Sequence, residues 1–188
     1  MKIRVVVTGG AGFIGSSFAN LCASKGLDVL VVDKLTYASN VDIIPKISIL
    51  KKDICDVTAE DLGEYDFLVN FAAESHVDNS IKNGKPFVKT NIEGTYNLLE
   101  LARNNTKLQK FVQISTDEVY GDLDMLNIEA SFEQNFLYPS SYYSATKASA
   151  DMLVFSCGHT FNLPYIITRT CNNFGIRQHE EKFIPTIM

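Results

Sequence analysis

Residues 115–122 read STDEVYGD. Two carboxylates, Asp117 and Glu118, follow two hydroxyls, Ser115 and Thr116, at the end of the apolar run FVQIS. Adjacent acids at a strand end can be turn chemistry. They can also be a general acid and a general base at one mouth, provided their surroundings push their pKa values apart. Further along, Tyr143 and Lys147 form Y-x-x-x-K. On a helix these two share a face, about 5–6 Å apart at Cβ. An ammonium beside a phenol favours the phenolate, below the ordinary tyrosine pKa of about 10. Alone, YxxxK is as readily a solvated surface pair. Together with Thr116, the phenol could take the proton of a substrate hydroxyl while a hydride leaves the same carbon.

Such a hydride needs an acceptor, and TGGAGFIG (8–15) offers a place for one. It reads as GxGxxG through Gly10, Gly12 and Gly15, or as GxxGxxG through Gly9, Gly12 and Gly15. Glycines there allow a tight turn, close approach of the backbone to a pyrophosphate, and close helix–sheet packing. The phosphates would sit at the positive end of a helix starting near Phe13. Glycine patterns also make ordinary turns, but this one follows a strand and opens a helix. Asp33 ends the next strand, where a carboxylate accepts from an adenosine ribose diol. It would repel the extra phosphate of NADP, which favours NAD, although Lys34 beside it could tolerate a phosphate.

The elements that must position these groups are legible as alternation. IRVVV (3–7), DVLVVD (28–33), ISIL (47–50), DFLVNF (66–71), KFVQIS (110–115) and YIITR (165–169) are continuous apolar runs, as buried parallel strands are. Helical spacing marks 13–26, a segment around 90–105, and 141–161, with Gly26 a C-cap for the first. This predicts one α/β domain over 1–188, a Rossmann-like doubly wound parallel sheet. The close, EKFIPTIM, has no terminal element and reads as the end of an N-terminal part, lacking a C-terminal substrate domain.

With 188 residues, 46% hydrophobic and 21% charged, the composition is that of a soluble globular domain. The net charge of −5 argues against a nucleic-acid footprint. Cys22, Cys55, Cys157 and Cys171 form no CxxC pair and read as reduced thiols of a cytoplasmic protein, with no metal site expected. No signal peptide or membrane span is apparent.

The glycine turn, the strand-end Ser-Thr and YxxxK in combination resemble the extended short-chain dehydrogenase/reductase superfamily. Within it, TGGAGFIGS, VVDKLTYASN, KDICD, NFAAESHVDNSI, TNIEGTYNLLE, STDEVYGD, PSSYYSATKASAD and NNFG…EKFIP resemble, in order, the dTDP-glucose 4,6-dehydratase family. The resemblance implies an NAD-dependent lyase acting on a nucleotide-activated hexose, most simply dTDP-glucose, as a homodimer. It implies that Tyr143 takes the C4 hydroxyl proton as NAD receives the C4 hydride. Glu118 then removes the C5 proton, a protonated Asp117 donates to the departing C6 hydroxyl, and the hydride returns to C6.

It also implies positions for the remaining residues. Gly9, Gly12, Phe13, Ile14 and Gly15 would face the pyrophosphate, and Asp33, Lys34, Leu35 and Thr36 the adenosine ribose. Asp53 and Ile54 would flank adenine. Ala72, Ala73, Glu74, Ser75, Thr90, Tyr143, Lys147 and Asn173 would border the cofactor. His76, Thr116, Asn172 and Lys182 would meet the substrate.

Each has a plainer alternative. Asn172 and Asn173 could form a turn before Gly175, and His76 could cap a helix. His159 and His179 read as surface residues, and the apolar face of 91–102 as core or dimer contact. Tyr142 stands where the family more often has proline. Family members continue well beyond this length, so the isolated chain is expected to be weak or inactive. The rival functions are a nucleotide-sugar 4-epimerase, which the acid pair disfavours, or decarboxylase, and a cofactor-binding module without turnover, which the intact Thr116, Tyr143 and Lys147 disfavour.

Overall fold

The computed structural model describes residues 2–44, 46–122, 130–179 and 186–187. Strands β1 (Arg4–Thr8), β2 (Asp28–Asp33), β3 (Ser48–Lys51), β4 (Phe67–Asn70), β5 (Lys110–Thr116) and β6 (Tyr165–Thr170) form one sheet in the order β3-β2-β1-β4-β5-β6. Every adjacent pair is parallel. The expected strands are therefore present, with ends shifted by a residue or two. The order reverses at β1, which pairs with β2 on one side and β4 on the other. That is the switch point where open α/β sheets hold ligands.

Alternation along each strand feeds two cores. Val6, Val32, Leu68 and Phe111 face one side, and Val5, Val7, Val31 and Val69 the other. Helix α1 (Phe13–Ser24) covers the second face with Ala19 and Cys22. The first is covered by α5 (Thr95–Arg103) and α6 (Tyr142–Phe161), through Leu98, Leu99, Ala102 and Val154. The apolar face of 91–102 is thus core. Gly26 follows α1 at φ +80°, its N–H donating to Ala23 O, as a helix stop requires.

Three short helices were not legible as periodic runs: α2 (Ala59–Leu62), α3 (Val77–Lys82) and α4 (Lys85–Phe87). They are too brief to show a period. The helical stretch expected at 90–105 begins as a π-helical segment, Val88–Gly94, before α5 takes over. Helix α6 starts with a reciprocal capping box between Ser141 and Ser144. Tyr142 is its first residue, the position proline favours, and its ring covers Gly84, where an added Cβ would lie 3.1 Å from Tyr142 Cγ.

Beneath the carboxyl ends of the strands runs a buried polar ladder. Thr8 Oγ1 donates to Asn70 Oδ1 at 2.6 Å, and Asn70 Nδ2 donates to Gln113 Oε1 at 2.9 Å and Thr95 Oγ1 at 3.3 Å. It ties β1, β4, β5 and α5 in one line. Removing the amide strands several buried partners at once. Asn70→Ala should cost about 2–4 kcal/mol in urea denaturation, whereas the exposed Asn104→Ala should cost under about 1 kcal/mol.

Candidate active site

An open cleft of about 720 Å³ lies over the carboxyl ends of the strands at the β1/β4 switch point. Its floor is the glycine turn. Gly9 has φ +67°, and a Cβ on it would sit 2.6 Å from Ala72 N. On Gly15 a Cβ would sit 2.3 Å from Gly9 O. Gly9, Gly12 and Gly15 face the cleft, while Gly10 packs on Val31. This selects the GxxGxxG reading. Gly12 is the N-cap of α1, whose first turn carries no acidic residue and no side-chain cap. The helix start thus presents N–H groups to an anion, with Phe13 and Ile14 in the same wall.

At the tip of β2, Asp33 is buried and its carboxylate is fixed by three donors. Ala11 N–H reaches Oδ2 at 3.0 Å, while Leu35 N–H and Ser39 Oγ reach Oδ1 at 2.8 and 2.9 Å. Leu35 contributes through this backbone bond. It takes a left-handed φ of +58° and turns its side chain into the core under β2, away from the cleft. Lys34 donates to Glu74 Oε1 at 2.9 Å and to Thr90 Oγ1 at 3.3 Å. Thr36, Asp53 and Ile54 complete this end. Burial would raise the Asp53 carboxyl, but bonds from Cys55 and the cations Lys34 and Lys89 outweigh it and hold it below its ordinary value.

The segment Ala72–His76 forms the middle wall. Asn91, in the π-helical segment, clamps it: Glu74 N–H donates to Asn91 Oδ1, and Asn91 Nδ2 donates to Glu74 O and to Thr146 Oγ1 on α6. Sequence reasoning gave Asn91 no role, although it lies inside the TNIEGT block. His76 stands at the N-cap position of α3 without a side-chain cap bond, and lines the cleft with Ser75.

The reactive end is built by β5, the 3₁₀ turn Asp117–Tyr120 and α6. Thr116, Glu118, Tyr143 and Lys147 all line the cleft. Glu118 is half-buried there, whereas Asp117 is exposed and lies outside the wall, held by a 3.3 Å bond from Thr116 Oγ1. The two acids therefore have different surroundings, and the drier one is Glu118. Burial pushes the Tyr143 phenol up to about 12, helped by the charges of Glu118 and Asp117 and opposed by a hydrogen bond with Thr116. Burial pulls Lys147 down to about 8, and its ammonium donates to Ile114 O. The expectation that Lys147 lowers the Tyr143 phenol is not met here, because desolvation and two carboxylates dominate it.

Tyr143, Lys147 and Asp151 are spaced i, i+4, i+8 on one face of α6. Asp151 is fully buried and accepts from Arg169 Nε of β6 at 2.9 Å; Arg169 also donates to Tyr120 Oη at 2.8 Å. Burial raises Asp151, against the pull of Arg169 and Lys147. The ion pair ties the turn carrying the acids to the helix carrying the phenol. Asp151 and Arg169 went unnoticed in the sequence, though the extension of the helix face to i+8 signals Asp151.

Asn172 and Asn173 line the cleft in an exposed irregular segment after β6. His159 is exposed, but His179 lines the cleft edge-on to Tyr37, with ring centroids 5.4 Å apart. Lys182 lies outside the described residues. All four cysteines are free. Among the described residues no helix is long and apolar enough to cross a membrane.

A glycine cradle that a Cβ would fill, a carboxylate at the tip of β2 and a Tyr/Lys pair on the helix across the cleft fit a nicotinamide dinucleotide. The chain belongs to the NAD dependent epimerase/dehydratase family, whose model matches residues 5–188, and NAD is the cofactor. It is 48% identical over 96% of its length to the low-salt glycan biosynthesis protein Agl12 of Haloferax volcanii, and 43% identical over 99% to the dTDP-glucose 4,6-dehydratase of Haemophilus influenzae. It spans 60% of the length of each. The NAD-bound dTDP-glucose 4,6-dehydratase DesIV of Streptomyces venezuelae superposes with a TM-score of 0.90 at 40% identity, over 98% of this chain and 60% of that one. A UDP-glucuronic acid 4-epimerase of Bacillus cereus superposes at 0.89 with 28% identity, over 97% of this chain and 61% of that one.

Lys147 supplies a pH test of the site. Its folded value of about 8 lies below the ordinary 10.5. Between these values the unfolded chain binds more protons, so stability should rise with pH from about 8 to about 10.5 and be lower by a constant amount below that window. The span is on the order of 3 kcal/mol. The difference between wild type and Lys147→Met, from urea melts at several pH values, should carry this rise. A separate series addresses the ion pair: Asp151→Asn strands a buried guanidinium and should cost about 3–5 kcal/mol.

Proposed function

We propose that these residues carry the NAD-dependent dehydration of a nucleotide-activated hexose, most simply dTDP-glucose, to the 4-keto-6-deoxy sugar. The observation that carries the reading is the placement of Glu118 in the cleft wall beside the Thr116–Tyr143 pair. A proton acceptor for a sugar carbon thus stands next to the acceptor for a sugar hydroxyl. Epimerisation needs only the second. The dehydratase relatives support the sugar and the base, and the chain's span of 60% of their length makes the whole reaction a proposal for these residues.

NAD, when bound, supplies a reversible hydride acceptor, so no net NADH accumulates. Thr116 and Tyr143 orient the C4 hydroxyl, and Tyr143 takes its proton. With the phenol at about 12 in the ligand-free cleft, this needs nearby positive charge. Lys147 is already in place in that cleft, so the further charge would come from the cationic ring of the oxidised cofactor. The C4 ketone acidifies C5–H, and Glu118 removes that proton. The C6 hydroxyl leaves as water with a proton that we assign to Asp117, and the C5–C6 double bond left behind takes the hydride at C6 and a proton at C5 from Glu118, which exchanges with solvent. Asn172 and His76 contact the sugar, Asn173 borders the cofactor, and the protein acts in the cytoplasm as a homodimer.

Prolonged incubation of the chain at high concentration with NAD and dTDP-glucose, followed by mass spectrometry, should yield a product lighter by one water without net NADH, at the low rate expected of a chain spanning 60% of its relatives' length. A product of unchanged mass that separates from the substrate by chromatography would instead establish the epimerase. In heavy water, Glu118→Gln should suppress deuterium entry at C5 by about 10²-fold or more while leaving NAD affinity within a few-fold.

A further inference from the structure

The adenosine end of the cleft holds a lysine next to the ribose-binding carboxylate. A cation at that place is the usual means of accepting a phosphate on the ribose. Here the Lys34 ammonium is already engaged, at 2.9 Å from Glu74 Oε1 and 3.3 Å from Thr90 Oγ1. Its side chain is 32% exposed and that of Glu74 26%, so the pair is partly withdrawn from water. Asp33 cannot swing aside, because Ala11, Leu35 and Ser39 hold both of its oxygens. Asp53 adds a third carboxylate to the same wall. Lys89, exposed on the π-helical segment, lends its charge to Asp53 and Cys55.

We propose that Glu74 is a cofactor-selectivity residue: by holding the Lys34 ammonium it withholds that cation from a ribose phosphate, and so reserves the site for the dinucleotide with a free ribose diol. Asp33 alone repels the phosphate, but Asp33 beside a free lysine would be compensated. Glu74 removes the compensation by taking the ammonium as its own hydrogen-bond partner. The main chain at Glu74 is held on both sides by Asn91, independently of the carboxylate. Replacing the side chain therefore changes the charge without releasing the wall.

The inference rests on the cofactor assignment, and calorimetric titration of NAD and NADP separates the two. The proteins are the 188-residue chain, Glu74→Gln, Glu74→Ala, Lys34→Ala and the double variant Glu74→Gln/Lys34→Ala. In the wild-type chain NAD should bind more tightly than NADP. Either Glu74 replacement should shift the NAD-to-NADP affinity ratio about 10–100-fold toward NADP, the scale of one recovered hydrogen bond to a charged group. Lys34→Ala alone should move the ratio less than about twofold, and in the double variant the shift should vanish. NAD binding with a ratio unmoved by both Glu74 variants would overturn the inference and leave the cofactor assignment standing. So would a Lys34→Ala effect equally large with and without Glu74. Failure of the wild type to bind NAD would overturn both. Circular dichroism melts within a few degrees of wild type would show that the variants are folded.

Discussion

Parallel pairing is the constraint on which this molecule depends. A parallel pair cannot be closed by a tight hairpin, so each return passes across a face of the sheet. The carboxyl ends of all the strands then emerge at one edge. Thr8, Asp33, Asn70 and Thr116 are the last residues of four different strands, far apart in sequence and gathered at that edge. The reversal of strand order at β1 opens a crevice there, and the glycine turn lets a helix begin within it. The site is thus where it is because of connectivity, before any side chain is chosen.

Charge is the second organising element, and much of it is buried. Lys147 is almost fully enclosed, Asp151 fully so, and Arg169 reaches between that carboxylate and the Tyr120 hydroxyl. Such groups cost desolvation energy, and breaking one of a pair costs more than the pair contributes. Their common use here is geometric. One face of α6 carries phenol, ammonium and carboxylate in succession, and the carboxylate fixes the strand whose arginine fixes the acid-bearing turn. A reacting group on a turn is held as firmly as one on a helix.

Amides hold the remaining walls. Asn91 joins the loop after β4 to α6, and Asn97 of α5 donates to Ile54 O and Val57 O, holding the loop after β3. Asn70 ties the strands beneath. Each satisfies main-chain or side-chain groups that irregular segments would otherwise leave unpaired in the interior. The loops that line the cleft keep their shape through single side chains reaching from regular elements. This division allows the adenosine end to be rigid, with Asp33 held on three sides, while the mouth at Asn172 and Asn173 is an exposed irregular segment.

The sequence by itself determined the elements and the inventory of candidate site residues. Runs such as DVLVVD and KFVQIS state a buried strand locally, and glycines, YxxxK and the Asp117–Glu118 pair keep their spacing whatever surrounds them. Short helices such as Val77–Lys82 escaped because a turn or two shows no period. Asn91, Asp151 and Arg169 escaped because their partners, Glu74, Arg169 and Tyr120, are distant in the chain. Only the tertiary structure decided which acid is the drier, that Leu35 acts through its backbone, that His179 joins the cleft, and that Lys34 is claimed by Glu74. It also set the Tyr143 phenol above its ordinary value, where the spacing alone pointed below it. The reason is that spacing fixes which groups are neighbours along one helix, whereas pKa depends on water excluded and charges brought in by every other element packed against them.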